Sequence, residues 1–140
     1  MRRLVVDTSL YVDWLNRGLY EEVLFQRGAV KYLSAVVLME LRAGAFRPAD
    51  RRVLVRLQQG FETAGRLLAP TREVYADAGD TLRGLQARGY DVRAGHSIAN
   101  DVLIALSARS IGATVVTRNE RDYRAIQAVS AFRLMIASPR

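Results

Sequence analysis

Short apolar runs alternate with amphipathic stretches along the chain. The apolar runs predict strands at 4–6, 32–35, 66–69, 113–117 and 132–136. Apolar positions three and four residues apart, with capping residues and glycines at the ends, predict the helices. These cover about 10–16, 20–26, 51–64, 70–88, 97–111 and 122–130, with a further helix that carries Glu40 and ends near Gly44. Strands that alternate with helices predict an α/β fold with a mostly parallel sheet.

Length and residue usage narrow the class of protein. A chain of 140 residues, half of them apolar, predicts one domain over 1–140 with a single core. The absence of cysteine excludes disulfides and thiolate metal sites, and the single histidine, His96, excludes a zinc site built on several imidazoles. Any metal must therefore be held by oxygen, which favours Mg²⁺ or Mn²⁺. Neither a secretion signal nor an apolar run of about 20 residues is visible, so we expect a cytoplasmic protein.

The charge balance is strongly basic. The formal net charge is +7, and the 21 basic residues include one lysine, Lys31, the others being arginine. Guanidinium groups bind phosphate in a bidentate fashion, so this surface suits nucleic acid or an acidic partner protein. A coding bias explains the preference for arginine over lysine equally well. Positive charge around a carboxylate pocket is what a phosphodiester substrate requires.

Four carboxylates that are distant in sequence are expected to meet at one edge of this sheet. Asp7 ends the first strand, and Glu40 lies about one turn into the helix that leaves the second. Asp101 lies in the first turn of a helix that runs back toward the strand at 114, and Asp122 follows that strand. Ligands bind at the carboxyl ends of parallel strands. A cluster of like charges there needs cations or protons to neutralise it, which predicts a metal site.

Each acid also has a simpler explanation when it is taken alone. Asp7 could cap the first helix, Asp101 could bond to nearby backbone, and Asp122 could be a first-turn carboxylate favoured by the helix dipole. Glu40 fits such an explanation least, because its neighbours are apolar and an unpaired buried carboxylate is costly. The convergence of all four favours the metal site.

The motifs around these acids resemble those of the PIN-domain family, and most closely the VapC-type toxins of toxin–antitoxin pairs. The resemblance spans residue 4 to about 136. The motifs that carry it are Asp7-Thr8-Ser9, Glu40-Leu41, Asn100-Asp101-Val102-Leu103-Ile104-Ala105, Thr117-Arg118-Asn119 and Asp122-Tyr123.

The resemblance implies a three-layer PIN-like fold with a central, mostly parallel sheet flanked by helices. It also implies a Mg²⁺- or Mn²⁺-dependent ribonuclease, usually a homodimer, that a cognate antitoxin holds inactive. The metal-site roles carry over to Asp7, Glu40, Asp101 and Asp122. Supporting positions are Thr8, Ser9, Thr117 and Asn119. Relatives often have a further aspartate where this chain has Asn119, so the site is one charge poorer. Tyr123 stands where phenylalanine is common.

The chemistry expected from these residues is hydrolysis of an RNA phosphodiester. Asp7, Asp101 and Asp122 would bind the metal directly or through water, and Glu40 would hold or deprotonate the attacking water or ligate the ion itself. The candidate RNA contacts are Arg118, Arg121 and Arg124.

The main alternative to a nuclease is a non-catalytic PIN-like module that binds RNA or a partner. A phosphotransfer receiver is disfavoured because Lys31, the one lysine, starts a strand and so lies at the wrong end of the sheet. A dinucleotide enzyme is disfavoured because no Gly-x-Gly-x-x-Gly follows the first strand.

Overall fold

Five parallel strands and seven helices make up the part of the chain that the structure, a computed structural model, describes: residues 1–25, 27–93 and 98–138. The strands are β1 (Arg2–Val6), β2 (Ala29–Ser34), β3 (Leu67–Leu68), β4 (Thr114–Thr117) and β5 (Arg133–Ile136). The helices are α1 (Thr8–Arg17), α2 (Glu21–Phe25), α3 (Ala35–Ala43), α4 (Pro48–Thr63), α5 (Arg72–Ala87), α6 (Ile98–Ser110) and α7 (Glu120–Val129).

The sheet is parallel throughout, with β1 at its centre in the order β3-β2-β1-β4-β5. Leu4 pairs with Lys31 of β2 on one side and with Thr114 of β4 on the other. The last three residues of β1 are essentially inaccessible, as expected for a strand covered by helices on both faces. The predicted α/β fold with a parallel central sheet flanked by helices is therefore confirmed. All strands end at the same edge.

The predicted elements are all present, with shifts at a few ends. Helix α4 begins at Pro48 rather than at residue 51. Proline is well tolerated in the first turn of a helix, because an N–H group there would have no acceptor within the helix. Helix α7 begins at Glu120, two residues early, because the Asn119 side chain caps it. The predicted strand at 66–69 is reduced to the pair Leu67–Leu68. Gln26, the predicted end of the second helix, and Ser97, the predicted cap of α6, lie outside the described residues.

Helix α6 is the most buried helix among the described residues and packs against α3, α5, α7 and the sheet. Its buried positions are spread around the helix rather than confined to one stripe, and they include Val102, Ile104, Leu106 and Ala108. A helix that is apolar on all sides belongs in the interior. Because α6 lies in the interior, Asp101 in the first turn of α6 is buried in the core. Among the described residues, no helix combines the length and apolar character that crossing a bilayer would need.

Two glycines of α5 provide a matched test of the packing between α5 and α7. A Cβ on Gly84 would lie 2.7 Å from Cγ1 of Val129 in α7, whereas one on Gly79 would meet nothing within 4 Å. Both alanine variants gain up to about 1 kcal/mol of helix propensity, but overpacking at Gly84 costs typically about 1–3 kcal/mol. Gly84→Ala should therefore be less stable than Gly79→Ala by at least about 1 kcal/mol in urea unfolding. Equal stabilities would show that α7 does not pack closely on Gly84.

Candidate active site

Asp7 is a buried carboxylate held by three hydroxyl groups. It follows β1 at the N-cap of α1, yet its side chain makes no capping bond. Its Oδ2 instead accepts hydrogen bonds from Ser9 Oγ at 2.9 Å and Thr117 Oγ1 at 2.8 Å, and its Oδ1 accepts one from the Tyr123 hydroxyl at 3.0 Å. The side chain thus bonds to three hydroxyl groups rather than to the backbone N–H groups of the helix, so capping does not explain this aspartate.

Tyr123 links Asp7 to Asp101. Its hydroxyl lies 3.5 Å from Oδ1 of Asp101, whose residue is 3% exposed. Burial raises the pKa of Tyr123 well above its ordinary value, and the charges of Asp7, Asp101 and Glu40 and the hydrogen bond to Asp7 raise it further. The phenol therefore stays protonated and acts as a donor to this pair of carboxylates.

Glu40 joins the same group from α3. Its Oε1 accepts a hydrogen bond from Thr8 Oγ1 at 2.6 Å, and its Oε2 accepts a long one from Asn100 Nδ2 at 3.4 Å. Thr8 follows Asp7 in α1, and Asn100 precedes Asp101 in α6. Glu40 thus contacts the sequence neighbours of Asp7 and Asp101, and its charge acts on Tyr123, which bonds to those two acids.

Asp122, in the first turn of α7, is held by two other side chains. Asn119 Nδ2 donates to its Oδ2 at 3.0 Å, and the Tyr90 hydroxyl donates to its Oδ1. Burial raises the pKa of Tyr90 to about 12, helped by the hydrogen bond to Asp122 and by the charges of Asp122 and Asp101, while the Arg121 charge opposes the shift. Tyr90 thus lies within the electrostatic reach of both Asp122 and Asp101.

Asn119 organises the turn between β4 and α7. Its Oδ1 accepts from the Asp122 backbone N–H at 3.4 Å, and its own backbone N–H donates to Thr117 Oγ1 at 3.0 Å. Thr117 then donates to Asp7. The Asn119 side chain therefore caps α7 and orients Asp122.

Two of the three candidate RNA-contacting arginines are ion-paired. Arg118 Nε lies 2.9 Å from Oδ2 of Asp13, a buried residue of α1, and Arg124 Nε lies 3.4 Å from Oε2 of Glu120. Arg121 is exposed, and its charge acts on Tyr90. All three arginines lie near the turn between β4 and α7, but Arg118 is also held there by its ion pair with Asp13.

Several residues of the site were not predicted from the sequence. Tyr90 and Asn100 each bond to one of the acids, and Asp13 holds Arg118. The signal available for Asn100 was its position beside Asp101; nothing in the local pattern distinguished Tyr90 or Asp13. His96 lies outside the described residues.

The donor chemistry of the site fits a hard divalent ion, although the side chains are not arranged as a complete ligand set. Within 1–25, 27–93 and 98–138, no three Asp, Glu or His side chains form a group that could hold a metal. The hydroxyls of Thr8, Tyr90 and Tyr123 occupy positions on the carboxylates instead. In the same ranges neither Asp7 nor Glu40 pairs with a lysine or arginine. A buried carboxylate without such a partner favours a cation, and an all-oxygen set favours Mg²⁺ or Mn²⁺.

Fold and site define a parallel α/β protein with an acidic cluster at the carboxyl ends of its strands. A PIN-domain family profile matches residues 4–128. The chain therefore belongs to the PIN-domain family, whose members are generally nucleases, and the predicted membership is confirmed. No curated protein sequence matches the chain.

Solved structures with a similar fold include several VapBC complexes. VapBC2 from Rickettsia felis, bound to a DNA fragment from its promoter, has a TM-score of 0.71 at 19% identity, covering 97% of this chain and 99% of that one. DNA-bound VapBC from Salmonella typhimurium has a TM-score of 0.69 at 22% identity, covering 97% and 98%. VapBC-5 from Mycobacterium tuberculosis has a TM-score of 0.66 at 22% identity, again covering 97% and 98%. At these identities the likeness establishes the fold.

The raised pKa of Tyr90 predicts a pH-dependent contribution to stability. Because its proton is bound more tightly in the folded protein, the contribution is complete below the ordinary pKa of 10.0 and is lost as the pH rises through about 12. The unfolding temperature of Tyr90→Phe should therefore lie below that of the wild type at about pH 8, and the gap should narrow by about pH 11. Tyr75→Phe, at a residue that is 56% exposed, is the control and should show no gap. A gap that widens with pH would contradict the assignment.

Proposed function

We propose that the protein is a Mg²⁺- or Mn²⁺-dependent endoribonuclease, the toxin component of a type II toxin–antitoxin pair, acting in the cytoplasm as a homodimer. The observation that carries the proposal is the contact of buried Asp7 and Asp101 with one tyrosine hydroxyl, on which the charge of Glu40 also acts, in a chain of the PIN-domain family. The basic surface suits an RNA substrate.

In the proposed mechanism the three aspartates bind the metal ion, and the glutamate accepts a proton. Asp7, Asp101 and Asp122 would hold the ion, with Ser9, Thr117 and Asn119 fixing their carboxylates. A bound divalent ion supplies Lewis acidity, lowers the pKa of a water and offsets charge on the phosphoryl oxygens. Glu40 would take the proton of the attacking water at Oε2, where its bond from Asn100 is long, while Thr8 holds Oε1 in place. As the new P–O bond forms, the bond to the leaving oxygen breaks, and that oxygen would take a proton from solvent water.

The alternative, a PIN-like module that binds RNA or a partner without cleaving, has one observation in its favour. The four acids do not form a complete ligand set in the described residues, and tyrosine and threonine hydroxyls bond to them. Metal-stimulated RNA cleavage that EDTA abolishes separates the two functions.

Asp7→Asn provides the sharpest test of catalysis. The amide is isosteric and keeps hydrogen-bonding capacity, so the variant should fold, but it removes one of the buried charges that would bind the ion. We expect RNA cleavage in Mn²⁺ to fall by more than the roughly 100-fold upper end seen for outer-shell partners of metals. Circular dichroism confirms folding, and Asp80→Asn, at an exposed ion pair of α5, should leave cleavage unchanged. Metal-dependent cleavage retained by purified Asp7→Asn would remove Asp7 from the mechanism.

A groove between α2, β2 and α4 supports an antitoxin partner. It has a volume of about 480 Å³. Its apolar lining includes Leu24, Phe25, Leu57 and Phe61. Its basic residues are Arg27, Lys31, Arg56 and Arg66. No acidic residue is among the described residues that line it. Burial, followed by the charge of Arg66, lowers the pKa of Lys31, as expected where cations crowd together.

These features complement an acidic, amphipathic segment, which would pack its apolar side on the groove and neutralise the basic rim. The VapBC structures that share the fold belong to toxin–antitoxin systems. We therefore propose that a segment of the cognate antitoxin occupies the groove.

Charge reversal in the groove tests this partner. Arg56→Glu should weaken binding of the purified product of the adjacent reading frame by at least about tenfold, or 1.4 kcal/mol, in calorimetry. Arg72→Glu, which makes the same charge change at an exposed position of α5 outside the groove, should bind as the wild type does. Equal weakening by both variants would indicate a general charge effect rather than a groove contact.

A further inference from the structure

The Tyr123 hydroxyl stands between two carboxylates that come from different elements. Asp7 follows β1 and Asp101 belongs to α6, and their Oδ1 atoms lie 3.0 and 3.5 Å from the same phenolic oxygen. The tyrosine is fully buried, and its ring packs edge-on against Phe132 with centroids 6.3 Å apart. Packing of the ring thus fixes the position of the hydroxyl.

Asp7 can present only one of its oxygens toward Asp101. Its Oδ2 already receives the hydroxyls of Ser9 and Thr117, at 2.9 and 2.8 Å. The remaining oxygen, Oδ1, is the one bonded to Tyr123. The orientation of Asp7 is therefore set by donors on both sides, and Oδ1 is turned toward Asp101.

Asp7 and Asp101 are buried carboxylates that contact the same hydroxyl, so their charges repel each other. A hydroxyl has one proton, so it donates to one oxygen at a time or shares a bifurcated bond, and it offsets part of the repulsion. Without this donor, the repulsion would favour arrangements in which the two carboxylates lie farther apart. A divalent ion would then have to bring them together at the expense of its own binding energy.

We propose that Tyr123 is a positioning residue whose hydroxyl sets the separation and orientation of Asp7 and Asp101 for a shared divalent ion. This inference rests on the proposed metal-dependent function. It differs from a purely structural role, because a structural hydrogen bond would affect stability and leave metal affinity unchanged.

The experiment compares Tyr123→Phe with Tyr20→Phe. Each variant removes one hydroxyl from a buried tyrosine, and the Tyr20 hydroxyl has no hydrogen-bond partner among the described residues. Mn²⁺ affinity is measured by calorimetry on the full chain, and unfolding is measured in EDTA. Loss of an outer-shell partner typically weakens metal binding about 10–100-fold. We expect at least a tenfold loss for Tyr123→Phe and wild-type affinity for Tyr20→Phe.

The outcomes separate this inference from the proposed function. If the wild type binds Mn²⁺ and Tyr123→Phe binds it as tightly or more tightly, the positioning role is wrong and the metal site stands. If the wild type does not bind Mn²⁺, both are wrong. Equal weakening by the two variants would also overturn the inference, because it would be a general effect of losing a buried hydroxyl.

A second measurement covers the case in which Tyr123→Phe does not fold. Among the described residues, Tyr90 and Tyr123 are the tyrosines that hydrogen-bond to the four acids, so Tyr90→Phe leaves Tyr123 as the one that still does. Addition of Mn²⁺ to Tyr90→Phe should perturb the ultraviolet difference spectrum of its tyrosines, because the acceptors of the Tyr123 bond become metal-bound. Saturating Mn²⁺ without a spectral change would overturn the inference.

Discussion

The burial of a carboxylate at the end of the central strand is the constraint on which the site depends. Asp7 is 5% exposed, and an ionised carboxylate in such a place requires compensation worth several kcal/mol. The compensation comes from Ser9 in α1, Thr117 at the end of β4 and Tyr123 in α7. Each hydrogen bond to a charged group contributes about 1.5–3 kcal/mol. Satisfying one acid therefore fixes the relative positions of three elements.

The parallel topology extends this local requirement into a candidate site. With β1 between β2 and β4, the segments that leave all three strands begin at the same edge. Helix α6, buried among its neighbours, adds Asp101 from below that edge, and α3 adds Glu40. The acids are thus held by strand ends and buried helices, which are more rigid supports than surface loops. The same arrangement leaves the basic groove at a separate place, beside α2 and α4.

The fold could be predicted because it depends on local patterns, and the same patterns single out the four acids as candidates. Unbroken apolar runs mark buried parallel strands, and Asp7 is found where such a run ends. The contacts that fix the acids could not be predicted in the same way. Whether Tyr90 reaches Asp122, or Asp13 reaches Arg118, depends on helix rotation and packing between segments far apart in sequence. Asn119 illustrates the difference. The family resemblance implies a supporting role for it at the metal site, whereas the structure shows that its side chain caps α7.

The central claim, that these buried acids share a divalent ion, is tested most directly by diffraction. Crystals grown with Mn²⁺ should show an anomalous peak within bonding distance of carboxylate oxygens from both Asp7 and Asp101, with the Tyr123 hydroxyl still contacting at least one of them. An ordered site without such a peak at saturating Mn²⁺, or a peak bound by neither aspartate, would contradict the account.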